Sequence, residues 1–162
     1  MSLAKVIDWM RTDGRLDITE GRSQRELAVL DRICRVVMDL DAVVPHQGAR
    51  VGKGGEQLDL QFGRMLPSRK TPVLFCGVLL QARGDDLWQR RDPSPERDTV
   101  RLYLRISEVG MARSPWSYMA SGDDSPKPDP EWRYVEIPDR VELDGEEILD
   151  LIEDAYFEVV GI

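Results

Sequence analysis

A chain of 162 residues and 18.5 kDa can enclose one hydrophobic core but not two comfortable ones, so a single domain over residues 1–162 is expected. Its 41% hydrophobic and 32% charged residues exclude a wholly disordered or fibrous chain, and its longest apolar run, residues 73–80, is too short to span a bilayer. The formal net charge of -8 argues against a dedicated duplex-DNA binder, whose affinity rests on neutralising phosphates.

In chain order, Leu3, Val6, Ile7 and Met10 recur at helical spacing and predict a short amphipathic helix that Gly14 terminates. Ser23 and Glu26 form a capping-box pattern that opens a second helix. Its apolar stripe is Leu27, Leu30, Ile33, Cys34, Val37 and Met38, and Pro45 stops any continuation beyond about Val43. Glycines at 48, 52, 54 and 55 then predict a hairpin joining a strand at 49–51 to one at 57–62, with Leu58, Leu60 and Phe62 on one side. The run 73–80 reads as a central strand apolar on both faces, weakened at Gly77. Residues 99–107 alternate, with Val100, Leu102, Leu104 and Ile106 inward and Arg101, Tyr103 and Arg105 outward. A further strand over 132–137 precedes Pro138, and Asp144 with Glu147 begins a last helix that runs to about Val160 and buries Ile148, Leu151, Ile152, Ala155, Tyr156, Val159 and Val160.

Short connections between most strands favour antiparallel pairing, because parallel neighbours need long crossovers. The expected fold is therefore α+β: a mainly antiparallel sheet of four to five strands, with two N-terminal helices and one C-terminal helix packed on it. Two proline-bearing polar stretches, near 85–98 and 121–131, hold too little apolar surface to offset their ordering entropy and are expected to be mobile loops.

Charge is unevenly spread. The first 100 residues carry 16 basic and 15 acidic side chains, and the remaining 62 carry 6 and 15. Residues 123–162 alone hold 14 acidic against 3 basic groups, a field that would speed encounter with a basic partner. The N-terminal residues lack the apolar stretch of a secretory signal, since Asp8 and Arg11 arrive early, so a cytoplasmic location is expected. Cys34 and Cys76 stand in apolar surroundings and read as reduced, buried thiols.

No motif of catalysis or cofactor binding is complete, and no cofactor or metal is expected. Gly48 to Gly55 resembles a phosphate cradle only superficially, since Gly54 follows Lys53 where a P-loop needs Ser or Thr. His46 is the one histidine, and with no C-x-x-C pair a zinc site cannot be built from Cys and His. Asp59 could open a nuclease-type metal core, but residues 73–82 offer neither carboxylate nor lysine to complete it. His46 and Asp59 together mark the candidate pocket for a small ligand or a hydrolase-like reaction, with a cysteine as conceivable nucleophile. Glu146, Asp150, Glu153, Asp154 and Glu158 are spaced to share a face of the last helix, a pattern that first describes a solvated surface.

Trp88, Trp116, Tyr118 and Trp132 lie beside or within the proline-bearing stretches, where amphipathic rings can anchor a partner or fold back onto the core. Arg90 and Arg91 add positive charge next to Trp88. Trp132, Ala155-Tyr156 and Val159-Val160 are similar to the tryptophan-led strand and closing helix of the MmcQ/YjbR family, while residues 81–130 do not look like it; no functional residue is carried over. The leading expectation is a non-enzymatic binding protein with an acidic C-terminal face, using Trp88, Arg90, Arg91, Trp116 and Tyr118 toward another protein. The alternatives are a ligand binder or enzyme at His46 and Asp59, and a nucleic-acid module using Arg64, Arg69, Lys70, Arg90 and Arg91.

Overall fold

The N-terminal apolar spacing becomes helix α1 (Ser2–Thr12) in the computed structural model, which describes residues 2–15, 17–49, 57–80, 99–107, 118–120, 131–138 and 145–159. Gly14 ends α1 as expected. It adopts φ +66, and the Arg15 amide reaches back to the Met10 carbonyl at 2.6 Å while the Gly14 amide meets Arg11 at 3.4 Å. This paired closure needs a left-handed residue, which glycine supplies without steric cost.

Helix α2 (Gln24–Met38) starts where the capping pattern placed it: the Ser23 hydroxyl accepts the Glu26 amide at 3.1 Å. The Glu26 carboxylate lies 3.5 Å from the Arg22 guanidinium in an almost fully buried pair, and Arg22 Nε also donates to the Ile18 carbonyl at 3.1 Å. The helix stops at Met38, earlier than Pro45 requires, and Ala42 turns the chain at φ 59.

The next element corrects the sequence reading. Residues 50 and 51 of the strand expected at 49–51 lie outside the described residues; the first described strand, β1, is Val43–His46 and contains Pro45, which pairs in register with Phe62. β1 lies at the edge of the sheet, where a residue with no N–H to give to a neighbour is tolerated. The two ends of the expected hairpin still meet, because the Leu58 amide donates to Ala49 at 3.3 Å and the Gln61 side-chain amide bonds the Ala49 carbonyl and amide, each at 3.4 Å.

The remaining strands are β2 (Leu60–Arg64), β3 (Val73–Leu79), β4 (Thr99–Ile106), β5 (Tyr118–Ala120) and β6 (Glu131–Pro138), followed by helix α3 (Gly145–Glu158). They form one antiparallel sheet in the order β1-β2-β3-β4-β6-β5. The fold class is the expected α+β, with β5 added as a short strand on the far edge.

Between β2 and β3 the register slips: Phe62 faces Cys76, and Gly63 faces Leu74, which leaves Phe75 as an extra residue. Such a bulge disrupts strict alternation. Phe75 and Cys76 accordingly both join the helix-side core, and this is one reason the run 73–80 is apolar at nearly every position.

On the helix side, Val100, Leu102, Leu104 and Ile106 of β4 are buried against α2 and α3, as expected. The opposite side holds a second cluster of Leu58, Leu79, Tyr103 and Tyr134, with Trp132 packed against it and, among the described residues, none from a helix in it. Two expectations fail here. Tyr103 is only 1% exposed, not outward in solvent, with its ring centroid 5.0 Å from that of Tyr134. Leu58 does not share a side with Leu60 and Phe62, because the chain bends at Asp59, whose carboxylate accepts the Leu80 amide at 2.7 Å.

That arrangement also explains Gly77. A Cβ there would collide with Leu58 Cδ1 and lie 3.2 Å from the Leu60 carbonyl, so glycine at this position leaves room for Leu58 to cross the strand without shifting. Among the described residues no helix is long and apolar enough to cross a membrane.

Candidate functional site

The pocket candidate assembles at one corner of the sheet, where β1 ends and the chain approaches β2. His46 is half-buried and pairs in register with Gln61. Its neighbour Gln47 donates through Nε2 to the Asp59 carbonyl at 3.2 Å and to Met10 Sδ at 3.3 Å, so His46 and Asp59 come from adjacent pieces of backbone. Their chemistry does not converge in the same way. The Asp59 carboxylate is engaged by the Leu80 amide, while the nearby Gln61 side-chain amide donates to the Leu58 carbonyl and that of Gln47 to the Asp59 carbonyl and Met10 Sδ. Asp59 therefore acts first as a bracket that ties the entry to β2 onto the end of β3.

The thiols are part of the core. Burial pushes Cys34 up to about 12, with the Asp31 carboxylate adding to the shift. Burial also drives Cys76 upward, with Cys34 as the second cause and a Gly77 backbone hydrogen bond opposing. Both are free and stay protonated at neutral pH, whereas a nucleophilic cysteine must be a thiolate. Among the described residues no group of three or more His, Cys, Asp or Glu side chains stands close enough to hold a metal ion.

Arg64, first in the expected basic stripe, sits 4.1 Å above the Tyr156 ring and donates to the Tyr156 carbonyl at 3.5 Å. It fastens α3 to β2. Arg69 and Lys70 are exposed on the turn after β2, where the Arg69 amide donates to Leu66. Trp88, Arg90, Arg91 and Trp116 lie outside the described residues, as do most of the two proline-bearing stretches. The backbone of Tyr118 opens edge strand β5 and pairs with Val135. Trp132 is half-buried against the second cluster, so this ring folds back onto the sheet.

Helix α3 supplies the most distinctive surface. Leu151, Ile152, Ala155, Tyr156 and Val159 face the core, and the Tyr156 hydroxyl donates to the Asp41 carbonyl at 2.8 Å. Glu158 belongs to the packing and not to the open acidic face: its two carboxylate oxygens accept the Ser107 amide at 2.7 Å and the Ser107 hydroxyl at 2.6 Å. Beside it, the buried Arg133 guanidinium donates to the Ile106 carbonyl.

On the side of α3 away from the core, Asp150 is exposed and Glu153 and Asp154 are half-buried. Residues 150, 153, 154 and 157 are three and four apart and share one face. Phe157 sits on that face with 61% of its surface exposed, the one large hydrophobic so exposed among the described residues. No residue of the last turn of α3 is itself basic, and the cation that meets the carbonyls there is Arg64 of β2, through the Tyr156 carbonyl.

Phe157 is the residue that reading the sequence for core positions passes over. Its signal is angular: it is the apolar residue of this helix that falls opposite the stripe of 151, 152, 155 and 159. No protein family, curated protein or solved structure gives a significant match to the chain.

Proposed function

We propose that this chain is a non-enzymatic binding protein that meets a basic protein partner through the outward face of α3. The observation that carries this reading is Phe157, whose ring meets Tyr156 edge-on at 5.1 Å yet stays 61% exposed on the helix face shared with Asp150, Glu153 and Asp154. A ring in that setting supplies the desolvated anchor that dominates an interface, while the flanking carboxylates set orientation and encounter rate. The net charge of -8 acts in the same direction on a basic partner and repels nucleic acid.

The test is quantitative capture from extract of the native host, comparing the unaltered chain with Phe157→Ala, with the pair Asp150→Lys and Glu153→Lys, and with Arg69→Glu on the exposed turn after β2. Loss of an aromatic anchor lowers affinity by about tenfold or more. The expected result is a basic protein whose recovery falls with Phe157→Ala, falls further with charge reversal, weakens with salt and survives Arg69→Glu. Stoichiometric partners retained by both α3 variants would overturn the reading.

A further inference from the structure

We draw no further inference here: the strongest candidate, the helix-free side of the sheet around Leu58, Leu79, Tyr103 and Tyr134, carries nothing because nothing in the structure shows what covers it.

Discussion

Tyr156 is the point at which three parts of the chain are joined to α3, and its removal gives the sharpest test of how the fold is held. The ring is 4% exposed and meets Phe75 edge-on with centroids 5.6 Å apart. Arg64 lies over it at 4.1 Å, and its hydroxyl donates to Asp41. Tyr156→Phe deletes only the hydroxyl. Asp41 is exposed, so water can replace the lost donor, and the cost is set at the low end for a hydrogen bond, about 0.5–1 kcal/mol. Tyr156→Ala empties a core site and forfeits the ring contacts, at about 3–5 kcal/mol. Because Arg64 is half-buried, its coupling to the ring should be intermediate, about 1 kcal/mol. Urea unfolding of a domain this size has a slope of about 2 kcal/mol per molar, so the two variants should move the midpoint down by roughly 0.25–0.5 M and roughly 1.5–2.5 M. In a double-mutant cycle, Arg64→Ala combined with Tyr156→Ala should cost about 1 kcal/mol less than the sum of the single variants. A midpoint shift below about 0.5 M for Tyr156→Ala at unchanged slope, or a strictly additive cycle, would refute the argument that this ring joins the helix to the sheet.

Gly77→Ala forces a Cβ against Leu58 and should destabilise by about 1–3 kcal/mol, read as a lower thermal midpoint; a neutral result would mean that Leu58 can move aside freely. Neither thiol should react with a water-soluble disulfide reagent at pH 8 in the folded chain, and both should react in urea. The same burial sets a pH dependence. Unfolded thiols lose their protons near about 8.5 while the folded ones keep theirs, so stability is complete below that value and falls as pH climbs from it toward 12. Asp17 works in the opposite direction: burial alone would raise it, but hydrogen bonds from the Thr19 hydroxyl and amide, together with Arg11, hold it below the ordinary carboxylate range. Its contribution is present above the unfolded pKa and is lost as pH falls through the lower folded value, so Asp17→Asn should flatten part of the acid limb of a stability–pH curve.

Periodic signals in the sequence survive in the fold wherever the local chemistry and the packing agree. The N-cap at Ser23, the glycine stop at Gly14 and the inward set of β4 each follow from interactions within a few residues or from strict alternation. The reading slips where a distant contact resets the pattern. Asp59 spends its carboxylate on Leu80, 21 positions away, and thereby sends Leu58 to the other side of the sheet from Leu60. Tyr103 looks solvent-facing beside Arg101 and Arg105, yet it pairs in register with Tyr134, a partner that alternation within one strand cannot reveal. Pro45 marks neither the end of α2, which stops at Met38, nor the start of β1, which it lies within, because an edge position makes its missing N–H harmless.

The same is true at the candidate site. The acidic character of the last helix is plain in composition, but only the packing distinguishes Glu158, held by Ser107, from Asp150, which remains exposed. Phe157 is legible only once the core stripe of α3 is drawn and the residue opposite it is noticed.

Pro45 has a consequence beyond the placement of one strand. An outermost strand offers a row of amides and carbonyls that can recruit further copies of a chain into growing ribbons. Here that row is only four residues long and lacks a donor at its third position, so an incoming strand would find an incomplete template. The imino ring thus protects this border of the sheet against self-propagating assembly, and Pro45→Val, which restores the donor and adds a strand-forming side chain, removes that protection.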